Sequence, residues 1–334
     1  MDGRAKEWFD AGQFFNWQGL DVFHAEFGDP GSQVVVLVHG FPTSSIDWYD
    51  VSRLLAVDHR VCVVDFPGFG FSDKPSGGPY SLGRDAELLG HYLAEVVGAE
   101  QGAVVSHDRG DSVALQFATQ CEAGKATFDV THLVLSNGNM FLPLSNLTEF
   151  QRLVLNDDTA QSVLEVVTPE GLAAGMGTTT FTPPRSLADP AIAALAQTFA
   201  YNDGVSVVHE TIQYLVERSE HEEEWLGALA DSAIPTTLVW GLCDTVSPPR
   251  VAAYIWHRYL STSAGRNELW LLPHANHYLQ EDDPEGFVEV VKRVLGVTSP
   301  EAPGALSAEA GAPIFVDRSR PLLPSAIDVL AGPA

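Results

Sequence analysis

Cysteine is almost missing from this chain, and its scarcity rules out two architectures. Cys62, Cys121 and Cys243 are the three thiols in 334 residues, odd in number and far apart. That excludes a disulfide framework and the paired spacing of a thiolate metal site, and it predicts buried thiols in a reducing, cytoplasmic setting. Positive charge is scarce too: 18 Lys and Arg stand against 44 Asp and Glu, a formal net charge of −26. A chain this acidic lacks the basic patches that nucleic acid or an anionic membrane surface requires, so neither is expected as a partner. No apolar run reaches the ~20 residues of a membrane span. Met1 to Asp10 is charged and mixed, without the apolar stretch of a secretory leader. What is present is a 45% hydrophobic content, evenly spread, which is enough for a sizeable core. The length suits one large domain, or a domain carrying an insertion. A small-molecule substrate, no cofactor, no metal, and a monomer or homodimer are the corresponding expectations.

The most informative stretch is Val104-Val105-Ser106-His107-Asp108-Arg109-Gly110-Asp111-Ser112. A β-branched run stops at Ser106, and apolar spacing at Val113, Ala114, Phe117 and Ala118 predicts a helix over Asp111 to Cys121. A strand that turns straight into a helix needs small residues two positions either side of the turning residue, because the two backbones nearly touch. Ser106 and Gly110 meet that need around Asp108. The turning side chain projects from strained backbone beside the unpaired N–H groups of the helix N-terminus. This is the nucleophile elbow, with Asp108 where a lipase would carry Ser.

Around it, strands are predicted at Val22–Phe27, Val34–Val38, Arg60–Asp65, Thr131–Ser136, Thr236–Gly241 and Glu268–Leu272. Helices are predicted at Trp48–Ala56, Ser81–Val97, Val251–Tyr259 and Pro284–Leu295. This alternation predicts an α/β class with a mostly parallel sheet, whose active site lies at the carboxyl ends of the strands. The strand signal fades between about Asn137 and Asp231, where Leu147–Leu155, Pro190–Tyr201 and Val205–Arg218 read as helices and Gly171–Pro184 as a Gly/Pro/Thr-rich link. The expected organisation is a core over 1–136, a helical cap over 137–231, the rest of the core over 232–296, and a loosely ordered tail over 297–334.

Asp108, Asp244 and His277 fall at strand ends in the chain order nucleophile, acid, histidine. Together with His39-Gly40, Gly68-Phe69-Gly70-Phe71-Ser72 and Gly241-x-x-Asp244, this order resembles the α/β-hydrolase fold, with a helical cap, along roughly the first 296 residues. The Asp elbow after His107 is similar to the epoxide hydrolase and haloalkane dehalogenase branch. Five segments resemble the loosely characterised mesoderm-specific transcript-like hydrolases: His39–Ser45, Gly68–Pro75, Ser106–Asp108, Leu135–Gly138 and Asn202-Asp203-Gly204.

The resemblance implies an Asp108 ester intermediate. His277, oriented by Asp244, would activate the hydrolytic water, and the N–H groups of Phe41 and Arg109 would form an oxyanion hole. Attack by a carboxylate on an ordinary ester would give an anhydride, which disfavours an esterase. Epoxide opening would need an acid for the departing oxygen, supplied in that family by two cap tyrosines. Tyr214 and Tyr201 are the candidates here, with His39 and Arg109 as further substrate-binding groups. Haloalkane dehalogenases resemble the chain less well. Their halide site needs a Trp after the nucleophile and an Asn in the oxyanion loop or a cap Trp, whereas Arg109 and Phe41 occupy those two positions. The one Trp between the elbow and the resumed core is Trp225. Fluoroacetate dehalogenases share His-Asp-Arg-Gly, but their second carboxylate-binding arginine would fall at Ser112, and Asn137 offers no carboxylate where their acid lies. Arg109 is read as binding an anionic group, stacking under the cap, or pairing with Asp111. His107 and His274 are read as structural, and Glu220–Glu224 as a solvated face. The expected activity is a cofactor-free epoxide hydrolase. A haloalkane or haloacid dehalogenase is the alternative, and a non-catalytic ligand-binding protein on the same fold is the reading from another class.

Overall fold

The computed structural model describes residues 1–263, 265–297 and 311–316. In chain order, helix α1 (Gly3–Ala11) leads into β1 (Gly12–Trp17), β2 (Leu20–Phe27) and β3 (Val34–Val38). α2 (Tyr49–Leu55), β4 (Arg60–Val64), α3 (Leu82–His91), β5 (Gln101–His107), α4 (Arg109–Glu122) and β6 (Asp129–Ser136) follow. Helices alone come next: α5 (Glu149–Leu155), α6 (Asp157–Leu164), α7 (Pro169–Thr179), α8 (Pro190–Ala200), α9 (Val208–Thr211) and α10 (Tyr214–Asp231). The chain then returns to β7 (Thr236–Gly241), α11 (Pro249–Ile255), β8 (Glu268–Leu272), α12 (Leu279–Asp282), α13 (Pro284–Val294) and β9 (Ile314–Phe315).

The nine strands form one sheet in the order β1-β2-β4-β3-β5-β6-β7-β8-β9. Pairing is parallel from β4 through to β8 and antiparallel at both edges. β3 reads Val-Val-Val-Leu-Val and is buried throughout, as a central parallel strand covered on both faces must be. Alternate residues serve opposite faces: Val36 and Val38 join the cluster with Leu89, Val113 and Phe117, while Val35 and Leu37 join the one with Trp48, Phe287 and Val291. The chain goes from β3 outward to β4 and then crosses back to β5 on the other side. The point where strand order reverses therefore lies between the ends of β3 and β5, where α/β sheets open a crevice.

One element was not anticipated and three sequence expectations need correction. The charged N-terminus forms α1, an element without strong helical spacing that is anchored by Trp8, buried and donating its indole N–H to Ser45 Oγ at 3.0 Å. The Gly/Pro/Thr-rich link contains α7, whose glycines allow close packing on the chain leading to α8. A Cβ on Gly177 would lie 2.5 Å from the Arg185 carbonyl oxygen. The expected helix Val205–Arg218 is divided among the end of a 3-10 stretch, α9 and the start of α10, and the left-handed Asn202 and Asp203, at φ 49° and 53°, kink the chain just before it. In the tail, Ile314–Phe315 pairs with β8 as an edge strand, while residues 298–310 and 317–334 lie outside the described residues. Among the described residues no helix is long and apolar enough to cross a membrane.

Gly110 marks the tightest contact of strand and helix: a Cβ there would stand 2.5 Å from the Val38 carbonyl oxygen and 2.7 Å from that of His39. Both neighbours are backbone and cannot swing away. Gly110→Ala should therefore lower folding stability by about 1–3 kcal/mol in chemical denaturation. Gly227→Ala, in mid-α10 with nothing within 4 Å of the new methyl, should raise it by about 0.5–1 kcal/mol.

Candidate active site

Asp108 stands between β5 and α4 at φ 51° and ψ −112°, a conformation that costs a non-glycine residue about 1–3 kcal/mol. It is held there by its N–H, which donates to the Ser136 carbonyl at 3.0 Å, and by its carbonyl, which accepts from Asp111 N–H at 3.2 Å. Gly40 lets the loop after β3 come alongside, since a Cβ on it would lie 2.8 Å from Asp108 Cβ. The next residue, Phe41, donates its N–H to Asp108 Oδ2 at 3.0 Å. Asp108 Oδ1 has no hydrogen-bond partner among the described residues and lies 3.9 Å from His277 Nε2.

The oxyanion loop is fixed from behind. The His39 ring donates from Nδ1 to the Gly40 carbonyl at 2.8 Å and accepts the Phe66 N–H on Nε2 at 3.2 Å. Burial lowers its pKa to about 3, so it is neutral, as that bonding requires. His39 therefore shapes the loop. Asp65 binds the two glycine-rich segments together, accepting from Ser45 N–H at 2.8 Å and from Phe71 N–H at 2.7 Å.

His277 Nδ1 donates to Asp244 Oδ2 at 3.1 Å. Asp244 Oδ1 accepts the N–H groups of Val246 and Ser247 at 2.7 and 2.9 Å, which aims the carboxylate. Burial opposes a charged ring at His277, but the Asp244 charge and hydrogen bond, then the Asp108 and Asp47 charges, outweigh it and hold the pKa above the usual histidine range. The His277 carbonyl is bonded by His107 Nε2 at 2.7 Å, and burial lowers the His107 pKa to about 3. Asn137 is a component that sequence reasoning noticed only for lacking a carboxylate. Left-handed at φ 49°, it donates Nδ2 to the carbonyls of Asn276 and His277 at 2.8 Å each and accepts the Gly241 N–H at 2.9 Å. It thereby joins the end of β7 to the histidine loop.

The two tyrosines part company. Tyr214, the first residue of α10, is buried with its ring 5.6 Å from that of Phe41, and its hydroxyl has no partner among the described residues. Burial and then the Asp108 charge raise its pKa, while Arg218 and Arg109 act in the opposite sense. Tyr201 packs instead against Phe9, Phe71 and Lys74, where Asn202-Asp203-Gly204 meets the Gly68–Pro75 segment. The structure does not bring it to Asp108.

Arg109 is buried and pairs with Asp85 of α3, not with Asp111, and its guanidinium lies 5.0 Å from the Phe69 ring and 5.5 Å from the Tyr214 ring. Burial pushes Asp85 up to about 6 despite that partner. Asp111 accepts Ser106 Oγ at 2.6 Å and Ser136 N–H at 3.1 Å, and burial holds its carboxyl well above the usual range. Arg218 of α10 drew no attention in the sequence. It donates Nε to Ser112 Oγ at 2.7 Å and Nη2 to the Asp108 carbonyl at 3.2 Å. His221 and Trp225 stack one turn further on, and Glu222 accepts the Leu142 N–H.

A cavity of about 480 Å³ opens on the other side of His277, walled by Phe41, Phe150, Val167, Leu172, Met176 and Val246. α5 and α7 supply the outer wall, and Val166, 77% exposed, stands at its edge.

Residues 33–284 match the α/β-hydrolase fold family, to which this chain belongs. It is a hydrolase of that superfamily. The human mesoderm-specific transcript homolog protein is 32% identical over 290 residues, covering 84% of each chain. The putative hydrolase LipZ of Mycobacterium tuberculosis is 34% identical over 292 residues, covering 87% of this chain and 97% of its own. Among solved structures, an α/β-hydrolase fold protein from Burkholderia ambifaria superposes with a TM-score of 0.69 at 25% identity, over 84% of this chain and 97% of that one.

If Asn137 is the structural bridge described, Asn137→Asp puts carboxylate oxygens against two carbonyls. Each buried group left unsatisfied costs about 1–3 kcal/mol. A fall in stability of that size or more is expected by thermal or urea unfolding, and an unchanged midpoint would refute the bridge.

Proposed function

We propose that this chain is a cofactor-free epoxide hydrolase working through an ester on Asp108. The observation that carries the reading is the placement of the elbow carboxylate. Oδ2 rests on the Phe41 N–H at 3.0 Å, while the unbonded Oδ1 faces His277 Nε2 across 3.9 Å. Oδ1 attacks the less hindered epoxide carbon, the C–O bond breaks, and its electron pair stays on the departing oxygen. Tyr214 supplies that oxygen with a proton. Oδ2 then becomes the carbonyl oxygen of the ester, already seated on Phe41 N–H beside the first turn of α4, where Arg109 N–H lies. His277 takes a proton from water, water attacks the ester carbonyl carbon, and the diol leaves as Asp108 is restored. Asp244 holds the ring in the tautomer with Nε2 free to accept and stabilises the imidazolium that forms.

Residues 137–231 act in this reading as a cap, with α10 bringing Tyr214 to the nucleophile. The apolar cavity receives the body of the substrate. Phe41, Phe150, Val167, Leu172, Met176 and Val246 give it a mainly aliphatic and aromatic wall, which suits an uncharged portion of the substrate. A second reading, haloacid dehalogenation, has one observation in its favour. Arg218 reaches Ser112, the position at which the sequence lacks a second arginine.

Intact mass of His277→Gln after exposure to epoxides and haloacids tests the proposal, since the ester should accumulate once its hydrolysis is blocked. An adduct on Asp108 with the whole epoxide mass is the expected result. An adduct lacking the halogen would establish the second reading, and no adduct with any epoxide would overturn the first. The raised pKa of His277 adds a signed expectation. The ring accepts a proton only when neutral, so hydrolysis of the ester is lost as pH falls through a midpoint above ~6.5, the ordinary histidine value. Ester formation, which does not use His277 as a base, should keep its rate across the same window in stopped-flow measurements.

A further inference from the structure

Arg218 is 1% exposed and takes part in no ion pair among the described residues, unlike Arg109, whose charge is matched by Asp85. Asp111 lies near it in the fold with a carboxyl that burial shifts toward the neutral form, and Glu222, half-buried one turn along α10 and bonded to the Leu142 N–H, is the other acid that feels its charge. A buried guanidinium with no carboxylate bonded to it is costly, and natural folds keep one where a negative charge has to be met. Two of its nitrogens are committed, Nε to Ser112 Oγ and Nη2 to the Asp108 carbonyl, and these bonds hold the fork beside the nucleophile. The third, Nη1, is buried with no partner among the described residues. The same is true of the Tyr214 hydroxyl, whose ring centroid lies 4.8 Å from the Arg218 guanidinium carbon. Unsatisfied buried donors gathered in one place call for an acceptor that arrives with the substrate.

The family resemblance implies two tyrosines for the departing oxygen, and only one reaches this site. We infer that Arg218 is the second donor to that oxygen, its Nη1 and the Tyr214 hydroxyl gripping the atom released when Asp108 opens the ring. The inference deepens the epoxide hydrolase reading and rests on it. As the Asp108–carbon bond forms and the ring C–O bond breaks, one unit of negative charge moves from the carboxylate to the departing oxygen. The Tyr214 proton passes to that oxygen, and the resulting phenolate stays beside Arg218 and Arg109 until the His277 imidazolium formed in the hydrolytic half returns a proton through water. Atoms and charge balance without any further reactant. The arginine thus supplies by charge what a second hydroxyl would supply by hydrogen bonding, and with its fork fixed beforehand it needs little rearrangement.

Rates of ester formation in His277→Gln, followed by quenched-flow intact mass, test this with two substrates: 1,2-epoxypropane and 3,3,3-trifluoro-1,2-epoxypropane. The fluorinated alkoxide is far less basic and needs less help to leave. Adding Arg218→Leu should slow ester formation about 10²–10³-fold on the plain epoxide, the usual cost of one oxyanion donor, and at least tenfold less on the fluorinated one. Equal losses on both would overturn the inference and leave Arg218 as a mere support for the elbow. Arg218→Lys provides a second measurement should the leucine variant unfold. It keeps the charge without the fork, so it should give a smaller loss with the same preference for the fluorinated substrate, and no such preference would again overturn the inference. Absence of any ester in His277→Gln itself would overturn both this assignment and the reading beneath it, whereas ester formation with equal losses removes this assignment alone.

Discussion

One constraint governs the site: a carboxylate must be held on strained backbone at the point where β3 and β5 diverge. The conformation of Asp108 is unfavourable by itself, and three neighbouring features make it tolerable. Gly110 lets α4 approach the end of β3, Gly40 lets the oxyanion loop approach Asp108, and the bond from Asp108 N–H to Ser136 ties the elbow to β6. Every other part of the site answers to that placement. His39 and Asp65 brace the loop that presents Phe41 N–H, and Asn137 braces the loop that presents His277. A rigid frame of this kind supplies preorganisation, which is worth more to charge stabilisation in a dry site than any single added contact.

Buried charge is the second theme. Desolvation alone would neutralise most carboxyls packed around the elbow, and Asp111 is shifted in that direction. The shift suits its position, where it serves as a hydrogen-bonding strut between Ser106 and Ser136. Arg109 is compensated by Asp85 across the α3–α4 contact. His39 and His107 are kept neutral by burial, so neither takes a positive charge from the neighbourhood of His277. His277 alone among these rings is moved upward, because Asp244 faces it directly.

Much of this was legible from residue order. β3, β7 and β8 are short β-branched or apolar runs bounded by turns, and the structure has them at Val34–Val38, Thr236–Gly241 and Glu268–Leu272 as the sequence predicts. The elbow could be read because steric crowding restricts residue type at fixed offsets, a local rule. What could not be read depends on elements far apart in the chain. Arg109 finds Asp85 across 24 positions and Arg218 finds Ser112 across 106. Neither distance leaves a periodic trace. Tyr201 and Tyr214 looked alike because both fall in the expected cap, and no local pattern shows that the left-handed backbone at Asn202 and Asp203 turns the chain between them. α7 was hidden for the opposite reason: its glycines lower helix propensity locally, yet tertiary packing against α8 rewards them.

The distribution of polarity around Asp108 and His277 gives the arrangement its direction. On one side lies the cavity walled by α5 and α7, rich in aliphatic and aromatic surface. On the other lie Tyr214, Arg109 and Arg218, with donors that have no partner among the described residues. A substrate whose apolar body fills the first side has its electrophilic carbon at the carboxylate and its departing heteroatom toward the second. Charge released on displacement then moves away from the hydrocarbon wall and toward the guanidinium groups, where low dielectric strengthens the attraction. The reverse orientation would place a developing anion against Phe150, Leu172 and Met176, with no donor from those side chains. In the proposed displacement at Asp108, polarity therefore favours one binding direction, the one in which the charge passed to the leaving group meets the donors.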